Sequence, residues 1–206
     1  MTAKGDLTKN KILSATLNLI YRKGIEDTSI NDIVNETGMA RGSIFFHFAN
    51  KQDLVAAALK KYENNFFIFM EQSLTGDTPG ERLINFFANV GKAHKEKNYT
   101  GGCIFGNTAL EMADKNEIFT EIVSNVFKKW VRNLNDVIEE AIKTGEIRKD
   151  IQPDILATTI VATLEGGIML SRLEKSGEPL EKSMCAFVKM LDIKTPSKME
   201  ETCLSY

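Results

Sequence analysis

Apolar residues recur every three or four positions along almost the whole chain. Ile12, Leu13, Leu17 and Ile20 set the first stripe, with Thr16 and Leu19 beside it. That is the period of an amphipathic helix. Gly24 predicts its end, as a left-handed residue just past the last turn. Ser29-Ile30-Asn31-Asp32 reads as a capping box opening a second helix, which Gly38 interrupts. A short third helix is predicted from Ala40 to Phe46. Asn50-Lys51-Gln52-Asp53 is a further cap, ahead of a long stripe through Leu54, Ala58, Tyr62, Phe66, Phe69 and Met70.

Thr78-Pro79-Gly80-Glu81 starts the next helix, with proline where its missing N–H costs nothing. Leu83, Ile84, Phe86, Phe87 and Val90 face inward from it. Tyr99-Thr100-Gly101-Gly102 is a break, followed by a short helix from Cys103 to Met112. The long helix after it carries Ile118, Ile122, Val126, Trp130, Leu134, Val137 and Ala141, and stops at Gly145. Pro153 opens an apolar helix to about Lys175, and Leu180 to Leu191 forms the last one. No stretch alternates like a strand. The pattern predicts an all-α chain of about nine helices, with residues 195–206 a disordered tail.

Length and composition refine this picture. The chain has 206 residues, room for one small domain plus a larger one or for a single elongated fold, and 43% are apolar. No uninterrupted apolar run approaches the roughly eighteen residues that cross a bilayer. The polar start, Met1 to Asp6, lacks the apolar stretch of a signal peptide. A cytoplasmic protein with no membrane partner is expected. Three cysteines, Cys103, Cys185 and Cys203, have no CxxC spacing, and the two histidines, His47 and His94, lie far apart. Neither a metal site nor a cofactor is predicted. Net charge is −2 but unevenly spread. Residues 1–62 hold nine Lys/Arg against six Asp/Glu, and the remainder holds 17 against 22. The sign suits an N-terminal part that meets nucleic acid.

The segment from Ile30 to Phe48 sharpens that suggestion. Gly38 supplies a positive-φ turn between two short helices. Ile33, Val34, Met39 and Ile44 are the residues to pack one helix on the other. The second helix begins Ala40-Arg41-Gly42-Ser43. Small side chains permit approach to a major groove, while Arg and Ser reach base edges or phosphates. On spacing alone, an ordinary helical hairpin fits equally well.

The wider pattern decides between them. Thr28-Ser29-Ile30-Asn31-Asp32-Ile33-Val34, Gly38, Gly42-Ser43-Ile44-Phe45-Phe46-His47-Phe48 and Lys51-Gln52-Asp53-Leu54 stand in fixed order. Together they resemble the tetracycline-repressor (TetR) family over about residues 8–60. Val34 stands where alanine is usual, and Phe45 where tyrosine is common. The resemblance implies a three-helix helix-turn-helix domain over residues 1–50 and a helical ligand-binding and dimerisation domain over 51–194. Thr28 and Ser29 would cap the second helix near the DNA backbone. Arg41, Gly42 and Ser43 would face base edges. Phe45, lacking a hydroxyl, would make apolar contact only. Phe46, His47 and Phe48 would lock the recognition helix in place, with His47 at a phosphate or simply half-buried in packing. Lys51 would meet a phosphate.

The same resemblance implies a homodimer, a palindromic double-stranded operator and a small-molecule effector. Aromatic residues concentrate in the middle of the chain, among them Phe66, Phe69, Phe87, Phe127 and Trp130, with Met169 further on. Such stripes are often plain core. Asn107, Glu111 and Glu165 lie among them, and a few polar groups in an apolar lining is the usual composition of a small-molecule site. Glu165-Gly166-Gly167 interrupts an otherwise apolar helix, where glycines suit close approach of another backbone; a dimer seam with the last helix is expected there, the alternative being that these helices simply bury against the same chain. Cys103 follows two glycines at a helix start, a position that lowers a thiol's pKa. It resembles a branch of the family that answers electrophiles, although a small residue at a tight helix start explains it too. No Ser/His/Asp order, phosphate-cradling glycine loop or HExxH supports an enzyme.

Overall fold

A computed structural model describes residues 3–193 of the chain. The expectation for residues 195–206 lies outside the described residues. Within them the chain forms nine helices: α1 (Ala3–Lys23), α2 (Ile30–Thr37), α3 (Arg41–His47), α4 (Lys51–Ser73), α5 (Pro79–Glu96), α6 (Ile104–Met112), α7 (Glu117–Thr144), α8 (Pro153–Glu174) and α9 (Glu178–Leu191). The all-α prediction holds. Boundaries moved by one or two residues: α3 starts and ends one residue later than its pattern suggested, and Cys103 precedes α6.

Local chemistry explains the starts and stops. Gly24, at φ +86°, and Gly145, at φ +76°, end α1 and α7 in the left-handed region. Thr78 caps α5, its hydroxyl accepting from the Glu81 N–H at 3.2 Å. Asn50 does the same ahead of α4, accepting from the Asp53 N–H at 2.8 Å.

The helices gather into two compact units. The first contains α1, α2, α3, α4 as far as Phe66, α6, and α7 as far as Val126. Its core joins Ile12, Leu13 and Leu19 of α1 to Ile33 of α2, Ile44 of α3, Phe48, and Leu54 and Ala58 of α4. Val34 and Met39 sit at its margin, half-buried.

The second unit contains the remainder of α4, α5, the segment to Cys103, α7 from Phe127, α8 and α9. Leu83, Phe86 and Phe87 are buried on α5, Trp130, Leu134 and Ile138 on α7, Ile160 and Leu164 on α8, and Leu180, Phe187 and Leu191 on α9. α8 packs along α9. The Leu180 N–H donates to Ser171 Oγ at 3.0 Å. A Cβ on Gly167 would lie 3.2 Å from Leu180 Cα, whereas one on Gly166 would meet nothing within 4 Å. The close approach expected at this glycine pair is thus made by Gly167 to α9 of the same chain. By length and composition α8 is the one described helix apolar enough to cross a membrane. Here Leu156, Ala157, Ile160, Val161, Leu164 and Ile168 are buried in the fold, while Ile155, Met169, Leu170 and Leu173, with Met190 on α9, are exposed.

Candidate nucleic-acid interface

The site is built on α2, the Gly38 turn and α3. Ser29 is the N-cap of α2, with extended backbone (φ −98°, ψ 163°). Its hydroxyl accepts from the Asp32 N–H at 3.1 Å, and the Asp32 carboxylate accepts from the Ser29 N–H at 2.7 Å. This is a complete capping box. Lys23 adds an ion pair to Asp32 at 2.8 Å. The Lys23 ammonium, followed by the Ser29 hydroxyl and N–H, holds the Asp32 carboxyl well below the usual carboxylate range. Thr28 plays a different part from that expected. It is buried, and its hydroxyl donates to the Gly24 carbonyl at 2.6 Å, closing the turn before α2 rather than capping the helix.

Gly38 ends α2 at φ +67°, its N–H donating to the Val34 carbonyl at 2.8 Å. A Cβ there would meet nothing within 4 Å. Backbone conformation, not a lack of room between the helices, demands glycine.

α3 has seven residues and is held from beneath by fully buried Ile44. Arg41, Gly42 and Ser43 are all exposed. Arg41 Nη1 donates to Asn31 Oδ1 at 3.1 Å, and the guanidinium lies 5.4 Å from the Phe45 ring centroid. These contacts pre-orient a planar donor group at the surface. A Cβ on Gly42 would meet nothing, so the helix is open to a groove at that point.

Phe46 departs from expectation. It is 84% exposed and does not lock the helix. The reason is angular. At 100° per residue, Phe46 falls about 200° from Ile44, on the opposite face. Phe48, two residues on and beyond the helix end, turns back into the core and does lock it. Phe45 is 40% exposed. His47 is half-buried, edge-on to Phe46 at 5.1 Å and tilted to Phe48 at 6.3 Å. Lys51 Nζ donates to the Glu26 carbonyl at 3.1 Å, which places its ammonium beside the turn that precedes α2.

That turn has a further partner absent from the DNA-reading pattern. The Glu111 carboxylate on α6 accepts from the Ile25 N–H at 3.0 Å and the Glu26 N–H at 2.7 Å. Lys115, three residues past the end of α6, pairs with the Glu26 carboxylate at 2.7 Å. The sequence suggests an effector site for Glu111; its carboxylate is bound to this turn instead. Sequence offered no signal for it, because the partners lie 85 and 86 positions apart.

The other residues assigned to an effector site divide between the units. In the first, Phe66 packs edge-on against Phe105 at 5.6 Å and Asn107 is half-buried. In the second, Phe87 and Trp130 are buried, Phe69 is half-buried, and Phe127 stacks on Trp130 at 5.8 Å. Met169 is 56% exposed and faces away from the core of that unit. The Cys103 thiol donates a hydrogen bond to the Glu165 carboxyl, whose pKa burial pushes up. Glu165 Oε1 is buried with no hydrogen-bond partner among the described residues. Burial also lowers the pKa of His94, to about 4, with Lys97 adding to the effect. No cluster of three or more His, Cys, Asp or Glu that could hold a metal occurs among the described residues.

An exposed, rigidly seated α3 behind a capped α2 is the geometry of a DNA reader, and comparison with known proteins agrees. Residues 12–58 match the model for bacterial regulatory proteins of the tetR family, and residues 79–187 match the tetracyclin repressor-like C-terminal domain. The chain is 30% identical over 185 residues to an HTH-type transcriptional regulator in the lacX 3′ region of Lactococcus lactis subsp. lactis, covering 85% of this chain and 89% of that one. It is 25% identical to the HTH-type transcriptional repressor DhaR of Mycobacterium sp. (strain GP1), covering 80% and 82%. A TetR transcriptional regulator from Chloroflexus aurantiacus superposes with a TM-score of 0.85 at 29% identity, covering 91% and 96%. The chain belongs to the TetR family of DNA-binding transcriptional regulators, which are not enzymes.

Proposed function

We propose that the protein is a homodimeric repressor that binds a palindromic operator through α2 and α3 and releases it when a small hydrophobic or electrophilic effector binds. The observation that carries this reading is the exposed row Arg41, Gly42, Ser43 and Phe46 on a helix anchored by buried Ile44. Arg41 and Ser43 reach base edges, and Gly42 lets the helix approach. Phe45 and Phe46 make apolar contacts of the kind thymine methyl groups offer. Ser29, His47 and Lys51 hold the backbone register. One relative, DhaR, is itself a transcriptional repressor.

Residues 1–50 form the reader and residues 51–194 the effector-binding and dimerisation part. The exposed apolar residues Ile155, Met169, Leu170, Leu173 and Met190 on α8 and α9 support a two-fold seam. Trp130, Phe127, Phe87 and the Cys103–Glu165 pair supply an apolar surround with a few polar groups, suited to a small hydrophobic molecule.

Footprinting on the gene's own upstream DNA tests the reader. Protection of two half-sites about one helical turn apart, with affinity falling steeply with salt, is expected. Binding indifferent to sequence at physiological salt would end this reading. Titrating operator release with N-ethylmaleimide tests the electrophile arm: wild type is released and Cys103→Ser is not. Equal response from both leaves only the hydrophobic arm.

A further inference from the structure

We infer that Glu111 is a positioning residue for DNA reading, acting from α6 through the turn at residues 24–26. One carboxylate spans two successive backbone N–H groups, Oε2 to Ile25 at 3.0 Å and Oε1 to Glu26 at 2.7 Å. Hydrogen bonds to an ionised acceptor are about twice as strong as neutral ones. The fit is tight: a Cβ on Gly24 would lie 2.8 Å from Glu111 Oε2, and Gly24 itself has φ +86°. The carboxylate occupies the space that a side chain at Gly24 would take, while the positive φ there serves the end of α1.

Three other groups converge on the same turn. Lys115 pairs with the Glu26 side chain, Lys51 donates to the Glu26 carbonyl, and Thr28 donates to the Gly24 carbonyl. Glu111 is on α6 and Lys115 lies in the turn that follows it. The turn leads within three residues to Ser29, the N-cap of α2, and α2 carries α3 across the Gly38 turn. Fixing the amides of 25 and 26 fixes where α2 begins, and so where Arg41, Gly42 and Ser43 stand. Ordinary turn stabilisation would not need this paired attachment from a segment more than eighty residues away.

The inference rests on α3 being the DNA reader. Its test combines spectroscopy and binding on the full chain, using Glu111→Gln and Glu111→Ala. In wild type the backbone amide protons of Ile25 and Glu26 are protected from hydrogen exchange; in Glu111→Gln, which keeps one acceptor oxygen, at least one of them loses that protection. Operator affinity falls roughly tenfold in Glu111→Ala and less in Glu111→Gln, which keeps one acceptor oxygen. A variant of equal thermal midpoint altered at Leu59, buried in the same unit, keeps its operator affinity. Should Glu111→Ala not fold, Glu111→Gln decides by the same two readouts. Operator binding unchanged in the Glu111 variants, or lowered no more than in the matched control, overturns the inference while leaving the reader intact. A wild-type chain that does not distinguish its upstream operator from scrambled DNA overturns the reader, and this role of Glu111 with it.

Discussion

Gly167 lies so close to Leu180 that a Cβ on it would stand 3.2 Å from the Leu180 Cα and 3.1 Å from its Cδ1. Backbone cannot retreat as a flexible side-chain end can. Gly167→Ala is therefore expected to destabilise the fold by about 1–3 kcal/mol, the usual cost of overpacking. Gly166, its neighbour, meets open space, and Gly166→Ala is expected to gain up to about 1 kcal/mol from helix propensity. If the two-fold seam uses this face, Gly166→Ala also weakens the dimer. Chemical denaturation and sedimentation of the two variants separate these effects. A Gly167→Ala chain as stable as wild type would contradict the packing described.

His94 makes stability fall with acid. Burial lowers its folded pKa to about 4 from an ordinary 6.5. Between those values the unfolded chain binds the proton and the folded chain does not, so unfolding free energy rises with pH across that window. Its contribution is fully present above about pH 6.5 and is lost as pH falls to about 4. The two values set an upper limit of about 3 kcal/mol, and residual solvent screening lowers this to about 2. Glu165 has the opposite sign. Its folded pKa is raised, so its contribution is complete below about pH 4.5 and is lost as pH rises through the folded value. His94→Gln should flatten the acid limb, and Glu165→Gln should gain stability relative to wild type toward neutral pH. Thermal unfolding from pH 4 to 8 reads both; parallel curves for wild type and the two variants would contradict both assignments.

Arg41→Ala is expected to weaken operator binding by about 1–3 kcal/mol and to relax preference at one base position. The guanidinium is exposed and pre-oriented by Asn31 and Phe45, so its loss removes a reader without disturbing the core. Affinity measured against operators varied at each position shows whether that preference disappears.

Phe46→Ala should lower operator affinity while leaving the slope of affinity against salt unchanged, because a phenyl ring releases no counterion. Its 84% exposure means that folding stability should move little. Phe45→Tyr restores a hydroxyl at the helix surface and should tighten binding modestly, again without a change of salt slope. A steeper slope in Phe45→Tyr, or a lowered thermal midpoint in Phe46→Ala, would contradict these placements.

The order of polar and apolar residues by itself determined the helices, their caps and the left-handed stops, because those depend on neighbours within four positions. Ser29, Gly38, Thr78 and Gly145 act in the fold as their local chemistry dictates. It also placed Arg41 to Ser43 and Ile44 on one short helix whose faces follow from its period. Tertiary structure decided what no local spacing encodes. Thr28 is buried in a turn rather than left at the surface. Gly167 meets its own chain's α9, and Gly166 meets nothing. Above all, Glu111 joins the DNA-reading unit because α6 packs there, 85 residues from the amides it holds. A carboxylate in a predominantly apolar stretch reads as a ligand group from sequence; only the path of the backbone shows that its partners are two N–H groups of this same chain.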